Sequence, residues 1–333
     1  MKAAYIEQVG PPENIVYGEL PDPPEPIGHQ VLVEVKAVSV NPVDTYIRSG
    51  MVPMELPKPF IIGCDLAGVV KAVGPEVTLF EPGDRVWGSN QGLLGRQGTF
   101  AEQVLVDECW LYPIPENVSF EDAAAMALVG ITAHLGLVKY ARLERGETIF
   151  VNGGSGAVGS TVVQMARALG ARPYASAGTA EKVALCQEFG AEKAFNYREQ
   201  NLAEELKKAL PVGVNVWWET SREPDFDLAV GALASHGRLI LMAGREARPP
   251  FPVGPFYVKG CSMHGFVMFM EHPDDQRDAA EDINRWLAEG RLKPRIAHLL
   301  PLSEAAKAHQ LQEDATIHRK TPLAGKIVLK PGE

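Results

Sequence analysis

Thr148-Ile149-Phe150-Val151-Asn152-Gly153-Gly154-Ser155-Gly156-Ala157-Val158-Gly159 decides the fold of this 333-residue chain. A short apolar run leads into G-x-G-x-x-G at Gly154, Gly156 and Gly159, and Val162 to Gly170 carries a helical pattern. Strand, glycine turn and helix in that order form a dinucleotide-binding turn. Glycines let the backbone turn tightly beside a pyrophosphate, and the helix N-terminus offers it unpaired N–H groups and a positive dipole. A second apolar run from Arg172 to Ser176 supplies the next strand of the unit. Two rival readings share these residues. One is a glycine-rich turn that binds nothing. The other is a hydrolase nucleophile elbow, since Gly153-Gly154-Ser155-Gly156-Ala157 departs from G-x-S-x-G only at Ala157.

The length suggests about two domains. A composition of 46% hydrophobic and 22% charged residues is that of a soluble globular protein. A formal charge of −10 argues against nucleic-acid or anionic-membrane partners. The N-terminus meets acid and proline at once, unlike a signal peptide, and no apolar run is expected to span a bilayer. Cys64, Cys109, Cys186 and Cys261 lie far apart with no C-x-x-C, which suits reduced thiols in a cytoplasmic protein.

Outward from the glycine turn, the rhythm differs on the two sides. Before about Phe120 the chain reads as β-rich, with strands expected at Gln30–Val40, Asp65–Val73 and Phe100–Val106 between turns such as Pro82-Gly83-Asp84. After Phe120 helices and strands alternate. Helices are expected at Phe120–Leu128, Ile131–Tyr140, Ala157–Leu169, Ala180–Phe189 and Asn201–Leu210. Strands are expected at Thr148–Val151, Arg172–Ser176, Lys193–Asn196, Val214–Glu219, Arg238–Met242 and Cys261–Val267, which implies a doubly wound parallel sheet. A helix at Gln276–Glu289, another after Ser303 and a strand at Lys326–Lys330 have no place in that sheet and are expected to rejoin the first domain.

Val40-Asn41-Pro42-Val43-Asp44-Thr45-Tyr46-Ile47-Arg48-Ser49-Gly50 resembles a signature of the medium-chain dehydrogenase/reductases, in their quinone oxidoreductase (zeta-crystallin-like) branch. Gly63-Cys64-Asp65-Leu66-Ala67-Gly68, Phe195-Asn196-Tyr197-Arg198-Glu199 and Ala324-Gly325-Lys326 support it, and the resemblance runs nearly end to end. It implies an α/β protein: a GroES-like catalytic domain over 1–122, completed by 269–333, and a Rossmann cofactor domain over 123–268. It also implies a cleft site between the domains and a homodimer or homotetramer. Zinc-dependent relatives use a Cys, a His-Glu pair and a further Cys. Here Asn41 and Cys64-Asp65 stand in those places, and two ligands do not fill a tetrahedral sphere, so no metal is expected.

The acid that NAD-binding turns place about 20 residues on is missing: that count from Gly156 reaches Ser176, then Ala177-Gly178-Thr179. Lys182, Tyr197 and Arg198 are candidate partners for a phosphate there; Glu181 dissents from the first turn of the next helix, where the dipole alone explains an acid, and NADPH is the expected cofactor. The resemblance places Ser155, Gly156, Ala157 and Val158 at its pyrophosphate and Gly178, Lys182 and Tyr197 at its 2′-phosphate. It places Gly244, Arg245 and Phe266-Val267-Met268 at the nicotinamide ribose. Thr132, Tyr46 and Lys326 are further cofactor contacts, and Asn41 and Tyr46 are the expected catalytic pair. The activity expected is zinc-independent hydride transfer from NADPH to a small-molecule quinone. The alternatives are an enone or alkenal reductase and a non-catalytic NADPH-binding protein. Val52 stands where the branch often has a second tyrosine.

Overall fold

The computed structural model describes residues 1–332, in two compact units. The first comprises Met1–Leu128 and the chain from Ala280 onward; the second is Val129–Ala279. Both junctions fall inside helices, one in α2 (Phe120–His134) and one in α8 (Pro273–Ala288).

In the first unit, β1 (Lys2–Ile6) pairs antiparallel with β2 (Val16–Glu19) and with β4 (Phe60–Ile61). The larger sheet is built on the long β3 (Gln30–Val40), whose alternate valines Val31, Val33 and Val35 are all buried. On one side β3 carries β5 (Asp65–Val73), then β6 (Arg85–Gly88) and β8 (Leu111–Pro113). On the other it takes β16 (Lys326–Lys330) and through it β15 (Ile296–Pro301), while β7 (Gln103–Asp107) pairs along its first half. The C-terminal strand thus closes onto β3.

The chain leaves β3 into α1 (Pro42–Ser49), a helix not anticipated from the sequence. Its signals are present: Pro42 opens it, Asp44 Oδ2 accepts from the Asn41 N–H at 2.7 Å, and Gly50 closes it with φ +81°. Arg48 is buried on α1 and donates to Gly10 O and Glu313 Oε1, tying α1 to α9 (Ala305–Thr316).

The second unit is a six-stranded, wholly parallel sheet. It contains β9 (Thr148–Asn152), β10 (Arg172–Ala177), β11 (Lys193–Asn196), β12 (Val214–Glu219), β13 (Leu233–Leu241) and β14 (Ser262–Gly265). Their spatial order is β11-β10-β9-β12-β13-β14, so the winding direction reverses between β9 and β12. The crossovers are α3 (Ala157–Ala168), α4 (Ala180–Glu188), α5 (Leu202–Ala209), α6 (Phe226–Ala232) and α7 (Val253–Val258). Phe150, Phe195 and Trp217 form the buried apolar cluster under α5 and α6.

Two expectations are corrected. Gly130 does not separate two helices: α2 continues through it and ends in a π-helical turn over Leu135–Tyr140. The tight approach of Gly136 to the Trp218 ring, where a Cβ would lie 2.2 Å away, explains a glycine within that turn. Phe120–Tyr140 is also apolar and long enough to cross a membrane by composition, contrary to the sequence reading, but most of it is buried in the fold.

Candidate active site

The glycine turn is built by close packing. Gly153 leaves β9 at φ +90°, and Gly154 N–H donates to Ser176 O at 2.9 Å. A Cβ on Gly154 would sit 2.6 Å from Ala175 Cβ, and one on Gly159 would sit 2.2 Å from Gly153 O. On Gly156 it would meet only Gly153 O at 3.5 Å. Gly154 and Gly159 therefore let strand, turn and helix close, while Gly156, the N-cap of α3, leaves the N–H groups of Ala157 and Val158 approachable. That cradle suits an anion. Among the described residues no histidine hydrogen-bonds Ser155, so the hydrolase reading has no base at its serine.

At the end of β10, a Cβ on Gly178 would lie 2.6 Å from Tyr197 Oη and 3.3 Å from Arg198 Nε. Thr179 caps α4 by accepting from Lys182 N–H at 3.3 Å, which sets Lys182 in the first turn beside this corner. Tyr197 is 48% exposed. A phenol, a guanidinium and an ammonium are thus available where a ribose carboxylate partner would stand. Ser176, which the 20-residue count reached, points beneath the turn: its Oγ accepts from Gly153 N–H at 3.1 Å and donates to Asn152 Oδ1 at 2.7 Å. β10 runs one residue further than expected, so Gly178 holds the corner.

Beyond β13, Gly244 adopts φ +84° against Arg222 O and Pro224, and Arg245 is exposed. Phe266 stacks on Tyr140 at 4.7 Å, Val267 is exposed and Met268 is buried. Thr132 on α2 is buried, and its Oγ1 has no partner among the described residues. The open cradle and this unsatisfied hydroxyl fit a dinucleotide.

The first unit holds a second polar group, fully buried. Asp65 Oδ2 accepts from Asn41 Nδ2 at 2.7 Å and from Ser39 Oγ at 2.8 Å, and Asp65 Oδ1 accepts from Ser89 Oγ at 2.7 Å. Lys326 Nζ donates to Asn41 Oδ1 at 2.5 Å and Val40 O at 3.0 Å, and lies 3.8 Å from Asp65. Asn41 is 0% exposed, its amide oriented by an ammonium on one side and a carboxylate on the other. Burial pushes Asp44 up to about 7, with the Cys64 thiol hydrogen-bonded to it. The same burial raises the Cys64 thiol well above its usual range and lowers Lys326. Tyr46, half-buried on α1, stands one turn past the Asn41 cap. Lys326 therefore meets Asn41, five positions before Tyr46, rather than standing free. Among the described residues no group of three or more His, Cys, Asp or Glu side chains is placed to hold a metal ion, and Asp65 already accepts from Asn41, Ser39 and Ser89.

The family of the alcohol dehydrogenase GroES-like domain matches residues 28–116, and the zinc-binding dehydrogenase family matches 157–285. The chain is 33% identical to a quinone oxidoreductase of Sus scrofa over 93% of both chains. Among solved structures, that of an NAD-dependent alcohol dehydrogenase superposes at TM-score 0.89 with 30% identity over 100% of both chains. The Escherichia coli quinone oxidoreductase complexed with NADPH superposes at 0.84 with 27% identity, covering 99% of this chain and 100% of that one.

Proposed function

The chain belongs to the medium-chain dehydrogenase/reductases, among the quinone oxidoreductases, and from that premise we propose that it is an NADPH-dependent, zinc-independent reductase of quinones. Its class as a nicotinamide-dependent oxidoreductase follows from the family; the choice of NADPH and of a quinone is the reading put forward here. The observation that carries it is the corner at Gly178, where Tyr197 and Arg198 close in, Lys182 stands beside them, and no carboxylate occupies the strand end. A 2′-phosphate matches such a corner, whereas a bare 2′-hydroxyl asks for an acid.

A bound nicotinamide supplies a hydride from its ring. The N–H groups of Ser155, Gly156, Ala157 and Val158 hold the pyrophosphate, and Gly178, Lys182 and Tyr197 hold the 2′-phosphate. Gly244, Arg245 and Phe266-Val267-Met268 border the nicotinamide ribose, and Thr132 offers its free hydroxyl. In the first unit Lys326 and Asp65 keep the Asn41 amide in one orientation. Tyr46 would contact the substrate and give its phenolic proton to the quinone oxygen left negative by hydride addition, then recover a proton from water. Alignment and exclusion of water carry the remaining rate. Electron-poor acceptors suit this scheme, because the donor set offers no Lewis acid to polarise a plain ketone.

The protein acts in the cytoplasm as a homodimer in this reading. The edge strand β14 and the exposed Val253, Tyr257 and Val258 of α7 offer the surface for a second copy. Steady-state NADPH oxidation with an ortho-quinone tests the chemistry: Tyr46→Phe is expected to lower kcat by about 10²-fold. An unchanged rate removes Tyr46 from the mechanism.

A further inference from the structure

At the point where the sheet reverses its winding, three polar side chains stand in one row across three adjacent strands. Ser176 on β10 and Glu219 on β12 are both in register with Asn152 on β9. Ligands of doubly wound sheets bind outside the carboxyl ends of the strands at this reversal, and each of the three residues stands at or next to such an end. All the hydrogen bonds run one way along the row. Gly153 N–H donates to Ser176 Oγ at 3.1 Å, and Ser176 Oγ donates to Asn152 Oδ1 at 2.7 Å. Asn152 Nδ2 then donates to Glu219 Oε1 at 2.8 Å and Oε2 at 3.1 Å.

Glu219 is the hub. It is 1% exposed, and it also accepts from Trp217 Nε1 at 3.0 Å and from Ser221 N–H at 2.6 Å. Ser221 opens the loop in which Arg222 O and Pro224 pack against Gly244. One carboxylate thus holds both the glycine turn after β9 and, through Ser221, the loops after β12 and β13. Burial raises its proton affinity, as does the charge of Asp225, against the hydrogen bonds from Trp217, Ser221 and Asn152. A buried acid held only by N–H donors is costly to keep unless its geometry is used.

We propose that Glu219 is a positioning residue for the dinucleotide: acting through Asn152 and Ser176, it fixes the orientation of the Gly153-Gly154 turn that presents the pyrophosphate-binding N–H groups. The proposal rests on the reading of that turn as the cofactor site. It adds a carboxylate that touches no cofactor atom to the residues that set cofactor affinity.

The test uses the full chain with Glu219→Gln, Asn152→Ala and the double variant. Hydrogen exchange on the protein without cofactor reports the row itself: the Gly153 and Ser221 amides should exchange faster in Glu219→Gln. Titration with NADPH and with NADH reports affinity: each single variant should raise Kd about tenfold. The double variant should weaken binding no more than either single, because both act on one row. Binding of adenosine 2′-monophosphate, which lacks a pyrophosphate, should be unchanged in all three. Unaltered exchange at Gly153 and Ser221, or Kd effects that add in full, overturns the proposal. If Glu219→Gln fails to fold, Asn152→Ser interrupts the same row at its middle and is read by the same exchange. A wild-type protein that binds neither dinucleotide refutes the cofactor reading instead, and the exchange experiment still decides whether the row holds the turn.

Discussion

Replacing Lys326 by methionine removes a buried ammonium while keeping most of the volume of its stem. The charge donates to Asn41 Oδ1 at 2.5 Å and Val40 O at 3.0 Å, and its nearest carboxylate oxygen is 3.8 Å away on Asp65. Its loss strips a donor from the Asn41 amide oxygen, at about 1–3 kcal/mol. It also leaves Asp65 as a buried carboxylate with no cation, and breaking a buried pair from one side typically costs about 3–5 kcal/mol. Two effects reduce this. Asp65 keeps its hydrogen bonds from Ser39, Asn41 and Ser89, and the desolvation that lowers the Lys326 pKa is relieved. A net loss of about 3 kcal/mol follows, at the low end of the buried-pair range. Scanning calorimetry at pH 7 should then show the melting of the first unit fall by about 6–12 °C, at roughly 2–4 °C per kcal/mol. The double variant Lys326→Met/Asp65→Asn should recover part of this, because it no longer buries an unpaired charge. A shift under about 1 °C, or a double variant whose loss is the full sum of the singles, refutes the reasoning.

Gly159→Ala places a methyl 2.2 Å from Gly153 O, a backbone atom that cannot swing aside. Denaturant unfolding should show about 3 kcal/mol of destabilisation, and dinucleotide affinity should fall with it. Lys182→Ala should weaken NADPH about tenfold and leave NADH unaffected, as read by the ratio of the two KM values. Two buried groups set opposite pH dependences. Asp44 titrates near 7 in the folded protein because of burial among Cys64, Asp65 and Lys326, against about 3.9 unfolded, so its contribution is complete below about pH 4 and is lost as pH rises to 7. His309, buried with neither ring nitrogen hydrogen-bonded among the described residues and with Arg48 nearby, titrates near 3. Its contribution is present above about pH 6.5 and is lost as pH falls, so the two slopes oppose each other between about pH 4 and 6.5. Asp44→Asn should therefore steepen the loss of stability in acid and His309→Leu should flatten it, measured by urea titrations across that range.

The alternation from Thr148 to Glu219 was legible because each strand and helix there carries its own period and its own turn residues, and five of the six parallel strands were anticipated to within about two residues at each end. β13 is the exception, starting at Leu233, where the bulge around His236, at φ +59°, hides its first residues. α1 is not legible from apolar periodicity, because its eight residues make barely two turns, although Asn41, Pro42, Asp44 and Gly50 spell a helix start and stop. β15 went unseen because its three central residues face solvent and carry no apolar alternation. The group around Asn41 was only half legible. Asn41 and Lys326 were singled out separately, but their contact depends on β16 closing onto β3, a pairing across most of the chain. The Ser176, Asn152 and Glu219 row escaped for the same reason: each residue looks ordinary in its own strand, and register alone joins them.

The central claim is tested most directly by following NADPH and NADH oxidation by purified, chelator-treated protein, with an ortho-quinone and an alkenal offered side by side. Turnover of NADPH with the quinone should survive chelation, with NADH and the alkenal slower. Activity lost on chelation and restored by zinc would contradict it, as would a preference for NADH.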